Sequence, residues 1–545
     1  MRRRLVRLGL TMTASLAAIV TMVGYATAGP PSRPAVDPAR AAEARQVSAA
    51  EPFGDASYGP GFRSDLQPRV TAAVTGTPAQ VGQWRVLAQT TPGLAIHAAA
   101  LPGTDVRFLL IKGSGNNGTT FAAGTFETYV WNVTKSTMKT ITTPDDVFCA
   151  GHVFLANGEL LVVGGTASFP TSTHGFLGTK TVYAFDPRTE TYRQLPSTSQ
   201  GHWYPTVVTD GLGRPNVVSG LNESGGYAQQ VERYYPSTNT WQLLPYQRSF
   251  PSYPGLILTA KGQLFYTGTN VFGGHTVQSG FWTVFNNVYT PAYGLPNANS
   301  RNQGASVMLY PAQKQRVMTA GGGGPYNTTT TASTALIDLA TPGAAWRAGP
   351  PLAHAKMHVT LVNLPTGGLL QTNGGAKSNS EPVLDAQTYS PYYNRWTTVA
   401  SPTVPRLYHG VALLGADGQV YTLGSNPAGA APETRIEVYS PPYVFQPYRP
   451  TLSFPRSNLR YGGLYGATAS ARYGWSRFVM IRPSAATHSS DPDQRSIDVP
   501  FRVVSSTSVQ LRMPATANLA PPGWYMIFGV DKRGVPGKAA WVQIT

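Results

Sequence analysis

Leu160-Leu161-Val162-Val163-Gly164-Gly165, followed by Val182-Tyr183-Ala184-Phe185-Asp186-Pro187-Arg188-Thr189 and then Tyr192, decides how this chain folds. A short apolar strand runs into paired glycines, and a second strand ends in a Pro-containing turn closed by an aromatic residue. The same order returns downstream. Asn216-Val217-Val218-Ser219-Gly220 precedes Val231-Glu232-Arg233-Tyr234-Tyr235-Pro236 and Trp241. Arg316-Val317-Met318-Thr319-Ala320-Gly321-Gly322 precedes Trp346. Leu369-Leu370-Gln371-Thr372-Asn373-Gly374-Gly375 precedes Tyr389-Ser390-Pro391 and Trp396.

A self-similar period of about 45 to 60 residues is the mark of a β-propeller, and glycine pairs with an aromatic closure mark the kelch type. One such unit cannot bury both faces of its sheet, so neighbours must stack into a ring. Residues 79–445 therefore predict a seven-bladed kelch-type β-propeller, closed by strands from both ends of the region. After Tyr439-Ser440-Pro441-Pro442-Tyr443 the pattern changes to short alternating strands. Val499–Val504, Val509–Met513, Trp524–Val530 and Ala540–Ile544 predict an immunoglobulin-like β-sandwich over 446–545. The fold class is all-β. Composition agrees: 57 glycines, 46 prolines and 28 tyrosines, with only 12% charged residues, suit strands and turns rather than long amphipathic helices.

The N-terminus reads as an export segment. Arg2, Arg3, Arg4 and Arg7 precede an apolar run from Leu8 to Val23, and Ala26-Thr27-Ala28 has the small residues of a cleavage site. Residues 1–28 are thus a signal peptide or a retained membrane anchor, Arg3-Arg4 weakly suggests a twin-arginine route, and 29–78 is a leader or linker rich in Ala, Pro and Arg. The expected location is secreted or extracellular. A net charge of +17 favours anionic partners such as cell-wall polymers or a membrane surface. There is no dense Lys/Arg run and no nucleic-acid motif, which argues against a nucleic-acid partner. A closed propeller is expected to work as a monomer.

An exported chain with a single cysteine, Cys149, cannot form an internal disulfide, so that thiol is a buried hydrophobe or a chemical group. Three segments precede apolar strands of the repeat: Phe148-Cys149-Ala150-Gly151, Gly201-His202-Trp203-Tyr204-Pro205-Thr206 and Pro405-Arg406-Leu407-Tyr408-His409-Gly410. Equivalent places in different blades face a common axis, so their side chains can converge. A fourth segment, Ala486-Thr487-His488-Ser489 followed by Asp493-Gln494-Arg495, lies in the sandwich. Two imidazoles and two phenols make a nitrogen/oxygen set suited to Cu(II). Taken singly, each residue has an ordinary reading: a packed aromatic, a turn, a surface histidine. His152, His202 and His358 are further candidates, and spacing does not choose among the nine histidines.

Together, in order, on such a propeller with a terminal sandwich, the four segments resemble the copper radical oxidases, the family of galactose oxidase and glyoxal oxidase with their bacterial relatives. The family's Phe-Cys-x-Gly turn is matched by Phe148-Cys149-Ala150-Gly151, and its Trp-Tyr-Pro-Thr context by Trp203-Tyr204-Pro205-Thr206. Its Arg-x-Tyr-His turn is matched by Arg406-Leu407-Tyr408-His409, and its Thr-His segment followed by Asp-Gln-Arg by Thr487-His488 and Asp493-Gln494-Arg495. The resemblance covers roughly residues 80 to 545. It implies one copper per chain, held by Tyr204, Tyr408, His409 and His488, and a Cys149–Tyr204 thioether whose tyrosine carries a radical. It further implies Tyr408 as axial ligand and base. The implied reaction is two-electron oxidation of a primary alcohol or small aldehyde, with O2 reduced to H2O2.

One departure matters. Galactose oxidase stacks a Trp over its crosslinked tyrosine, and the equivalent stretch here, Ser219 to Gly226, has none. Trp282 is the candidate replacement, and a glyoxal-like aldehyde or a glycan end is as good a substrate candidate as galactose. Arg248, Tyr253, Arg301, Met357 and His358 fall near later strand starts and are candidate lining for a substrate pocket. Two other readings stand beside the oxidase: a non-catalytic glycan-binding propeller at the cell surface, and a scaffold that kept the fold and lost the metal.

Overall fold

The computed structural model describes residues 69–70, 74–274, 277–324 and 329–545. The expected leader, 1–28, and most of the linker, 29–78, lie outside them. No helix among the described residues is long and apolar enough to cross a membrane.

Short apolar runs become strands buried on both faces. Leu160–Val163 is buried at every position and pairs antiparallel with Gly151–Phe154 on one side and Val182–Asp186 on the other. Thr191–Leu195 completes a four-stranded meander. Among the described residues seven sheets follow this pattern, one of them carrying a fifth strand, Ala485–Thr487. Around the ring the inner strands that these blades supply are Gly151–Phe154, Thr206–Thr209, Leu256–Leu258, Ala305–Met308, Thr360–Asn363, Val411–Leu414 and, from the earliest blade in the chain, His97–Leu101. The first is flanked by the second and by the last, which closes a ring through Ala485–Thr487. The sheet of Val411–Leu414 gains its outer strand from Gln83–Thr90, far earlier in the chain. This is an all-β architecture, a ring of small antiparallel sheets followed by a sandwich.

The paired glycines have a positional task. Gly164 and Gly165 sit at φ 75° and 125°. A Cβ on Gly164 would come within 2.0 Å of the His202 carbonyl oxygen, and one on Gly165 within 2.3 Å of that of Asp146. Only glycine lets this turn wedge between two neighbouring strand entrances. Those entrances carry Cys149 and Tyr204.

Strands from Thr451–Ser453 to Ala540–Ile544 form two further sheets, one of four strands and one of five. Their shared core includes Phe478, Ile497, Leu511, Tyr525 and Val542, and it continues into Ile257, Phe265 and Val317 of the propeller. Between the two sheets' strands the chain leaves the sandwich. Ala485–Thr487 pairs with His97–Leu101, in the register His97 to Thr487, and so brings residue 488 to the propeller axis.

One buried ion pair braces the ring. Lys356 Nζ meets Asp385 Oδ1 with neither side chain exposed, and His354 Nδ1 lies 2.8 Å from Asp385 Oδ2. Asp385→Ala leaves a buried ammonium unpaired and is expected to cost about 3–5 kcal/mol in urea unfolding, whereas Lys356→Met with Asp385→Leu should be nearly neutral.

Candidate metal centre

The site begins with backbone conformation. Cys149, Tyr204 and His409 each stand two residues ahead of an innermost strand, and each has a positive φ (61°, 67° and 65°). Gln303 and His358 repeat this at the same offset (57° and 58°), and Tyr253 is close to it (44°). Left-handed backbone costs an L-residue about 1–2 kcal/mol. It is held here at successive blades, which is the pattern of strain retained at functional sites. The shared conformation turns these side chains toward the common axis.

His488, at φ 56°, arrives from the sandwich at the tip of a tight turn. Thr487 and Ser490 exchange backbone hydrogen bonds of 3.0 and 2.8 Å across that turn. Its base is locked by Arg482, whose Nε lies 3.2 Å from Asp493 Oδ2, both side chains being buried. Arg482 also donates to the carbonyls of Pro521 and Phe154. Gln494 donates to the Leu361 carbonyl (3.0 Å) and accepts from the Asn363 amide (2.5 Å), pinning the excursion to a blade. Asp493-Gln494-Arg495 thus acts as an anchor.

At the axis the Tyr204 and Tyr408 phenol oxygens meet. His488 Nε2 lies 3.0 Å from Tyr204 Oη. Its Nδ1 is 2.7 Å from Thr487 Oγ1, which leaves Nε2 to face the phenols. The His409 ring stacks on Tyr408 (3.8 Å, 30°) and stands edge-on to His488 (4.7 Å, 77°). One atom each of Cys149, His409 and His488 lies within 4.8 Å of the others, all buried. Tyr204 donates its amide N–H to the Cys149 carbonyl (2.9 Å), so the thiol-bearing and phenol-bearing turns are tied together. Cys149 and Tyr204 share one buried cluster with Tyr408 and Tyr253.

Burial dominates the electrostatics. It holds the His409 and His488 imidazoles well below the ordinary 6.5, with neighbouring histidines adding to the effect, and pushes the Tyr408 phenol well above 10. Both nitrogens of His409 are buried without a hydrogen-bond partner. A buried neutral imidazole with no partner is costly, and a cation that takes its lone pair removes the cost. The donor set, two imidazole nitrogens and two phenol oxygens, fits Cu(II).

The other candidates divide. Tyr253 lies in the site, its ring 4.7 Å from that of Tyr204, and its hydroxyl donates to the Ala150 carbonyl (2.7 Å). His358 packs 5.3 Å from Tyr408 with Nε2 2.8 Å from Ser378 Oγ. Trp282, Arg248 and Arg301 sit elsewhere. Trp282 lies in the core between two neighbouring blades, against Phe250, and donates to Asn287 Oδ1. Arg248 donates to the same oxygen and covers the Tyr289 ring. Arg301 is fully buried and gives its donors to Pro296, Gly321 and Ser333. The rings that meet Tyr204 are instead Trp203 (4.2 Å), Tyr253 and Phe272 (5.7 Å), and Phe176 stacks on Trp203 (4.4 Å, 11°). His97 was not among the candidates, yet its Nε2 accepts the Cys149 amide N–H at 3.1 Å. Its ring contacts His152 at 5.2 Å. His202 is held by the Ser219 carbonyl and Glu232.

A pH effect follows from the histidines outside the donor set. Burial depresses His152 to about 4 and His358 to about 3. Above pH 6.5 both are neutral folded or unfolded and contribute nothing. Below it the unfolded chain takes up protons that the folded chain does not, so stability falls with pH until the folded values are reached. These two groups alone should cost the metal-free protein ~3 kcal/mol in urea unfolding between pH 7.5 and 5.5, and the buried His97, His409 and His488, shifted in the same direction, add to that loss.

The chain is similar to known proteins over most of its length. Residues 119–443 match the family described as Glyoxal oxidase N-terminus, and 449–544 match the galactose oxidase-like early set domain. A galactose oxidase of Gibberella zeae is 26% identical over 440 residues, covering 75% of this chain and 62% of that protein. The chain therefore spans under two thirds of that relative's length. An aldehyde oxidase GLOX of Vitis pseudoreticulata is 28% identical over 455 residues, covering 73% of this chain and 82% of its own. A solved fungal alcohol oxidase of the AA5 family, in complex with copper, shares the fold with TM-score 0.74 at 24% identity, covering 85% of this chain and 100% of its own.

Proposed function

Because the chain belongs to the glyoxal oxidase N-terminus family and carries a galactose oxidase-like early set domain, we propose that it is an exported mono-copper radical oxidase. It converts a primary alcohol or small aldehyde and O2 into the two-electron-oxidised product and H2O2. The observation that supports this most is the meeting of Tyr204, Tyr408, His409 and His488 beside Cys149, with both His409 nitrogens left unpartnered. A glycan-binding propeller needs no such convergence.

Tyr204, Tyr408, His409 and His488 would hold the copper. Copper, when bound, supplies a Lewis acid for a substrate oxygen and one of the two one-electron acceptors. Tyr204 supplies the other acceptor. Joining Cys149 Sγ to a Tyr204 ring carbon forms one C–S bond and breaks one S–H and one C–H bond, with two protons and two electrons passing to O2. Sulfur on the ring donates electron density and lets the phenol give up one electron and regain it. Tyr408 Oη takes the substrate hydroxyl proton, since a neighbouring dication favours phenolate where burial alone favours phenol. Trp203, Phe176, Tyr253 and Phe272 exclude water from the ring of Tyr204. That aromatic cover differs from a single overlying Trp, so a small aldehyde or a glycan end is at least as good a substrate candidate as galactose.

The test is to load the purified protein with Cu(II) under air and measure peroxide across alcohols, aldehydes and glycans. We expect one copper per chain and peroxide matched by oxidised product. Copper bound at less than one per chain, or no peroxide with any substrate, would sink the reading.

A further inference from the structure

A cleft of about 1010 Å³ lies between the propeller and the sandwich, and none of its lining residues belongs to the cluster around Tyr204. Its walls carry five tyrosines, Tyr310, Tyr389, Tyr392, Tyr393 and Tyr443, with Arg316 and Arg477 among them. Tyr392 and Tyr393 are 87% and 71% exposed, with rings 4.8 Å apart and perpendicular.

The turn that holds these two rings does not need them. In the blade of Gly151–Phe154 the equivalent turn is Pro187-Arg188-Thr189-Glu190, and in the next it is Pro236-Ser237-Thr238-Asn239. All three turns end on a left-handed residue: Glu190 (φ 56°), Asn239 (53°) and Asn394 (49°). In the first two blades a threonine hydroxyl takes the place of Tyr393 and reaches the next strand's threonine, at 2.8 and 2.7 Å. The same backbone is therefore built with small polar residues. Two exposed aromatic rings at the mouth of a cleft are an addition that the turn itself does not require.

The charge in the cleft is also available. Arg533 is held by Asp531 at 2.8 Å. Arg316 donates only long hydrogen bonds to the carbonyls of Pro391 and Tyr310, both 3.4 Å, which leaves its charge uncompensated. The Nε atoms of Arg316 and Arg477 are buried without a partner. The chain as a whole carries +17. Flat aromatic faces beside guanidinium groups complement a chain of sugar rings that bears carboxylates or phosphates.

We propose that this cleft binds a segment of acidic polysaccharide, with the tyrosines against sugar faces and Arg316 and Arg477 on the acid groups. Such a site would hold the protein on a polymer while the metal centre acts elsewhere on the molecule. It stands apart from the oxidase reading and is tested without copper.

The probes are oligomers of polygalacturonate and a phosphate-bearing mannan, titrated calorimetrically into the full-length, copper-free protein. We expect one of them to bind, carboxylate or phosphate source being told apart by which does. Tyr392→Ala with Tyr393→Ala should weaken binding about ten-fold or more with unchanged thermal unfolding, and Arg316→Gln should weaken it further. Neither probe binding would overturn the proposal. So would undiminished binding by the double tyrosine variant. Equal affinity for cellohexaose would remove the acid requirement, and equal affinity for duplex DNA of similar charge would reduce the effect to general polyanion attraction; both overturn the assignment.

Discussion

Replacing Cys149 with serine is expected to give a folded protein that binds copper and makes almost no peroxide. The substitution is mild for the backbone. The left-handed turn at φ 61°, the hydrogen bond from the Cys149 N–H to His97 Nε2 and the one its carbonyl accepts from the Tyr204 N–H use only main-chain atoms of residue 149. The thiol itself is fully buried within 4.8 Å of the His409 and His488 nitrogens. A serine hydroxyl there costs about 1–3 kcal/mol if it finds no partner, too little to unfold a domain of this size. The chemical loss is larger. Oxygen does not join the Tyr204 ring, so the phenol keeps the higher potential of a free tyrosine and its radical is not held at rest. We expect peroxide formation to fall by about a thousand-fold, which is ~4 kcal/mol on the barrier. Intact mass spectrometry supplies the second readout: the active wild-type chain should be lighter than its sequence by two hydrogens, and the variant should not. Full activity in the variant, or a wild-type mass equal to the sequence mass, would remove the crosslink.

The propeller is legible because each blade repeats one physical solution. An apolar run, paired glycines and an aromatic closure recur whether or not any single strand can be assigned. The blade faces are not legible in the same way. In a stacked ring both faces of a sheet pack against neighbours, and in Gly280–Thr283 both Phe281 and Trp282 are apolar and packed, so the sequence does not tell axis from inter-blade core. Arg301 looks the same as a pocket arginine until its donors are traced to carbonyls.

The strand entrances are half legible. Their place ahead of an apolar strand is visible in the sequence, but the positive φ is not, because it falls on Cys149, Tyr204, His358 and His409 rather than on glycine or asparagine. His97 escapes notice for a related reason. It opens the strand His97–Leu101 instead of standing ahead of it, and the residues before it, Gly93-Leu94-Ala95-Ile96, offer no polar side chain. Tyr392-Tyr393 hides inside a turn whose aromatic closure, Tyr389 with Trp396, already accounts for the pattern.

His488→Ala should lower copper affinity by at least about a hundred-fold, more than the loss of a residue that merely orients a ligand. The reason lies in chain connectivity. His409, Tyr408 and Tyr204 come from the propeller, and their positions are set by blade packing alone. His488 comes from the sandwich, through a three-residue strand and a turn fixed by the Arg482–Asp493 pair and by Gln494. A bound ion would therefore take donors from both the propeller and the sandwich. Removing the imidazole leaves the propeller's three donors intact, so the variant should fold and keep its far-UV spectrum while Cu(II) is lost to a competing chelator in equilibrium dialysis. Thr487→Ala, which frees His488 Nδ1, should cost about ten-fold in the same assay. His358→Ala, beside Tyr408 but bonded to Ser378, should leave copper binding within a few fold. Copper bound as tightly by His488→Ala as by wild type would take His488 out of the ligand set. Because the sandwich reaches the axis only through this excursion, that result would also leave its insertion into the ring without a chemical purpose.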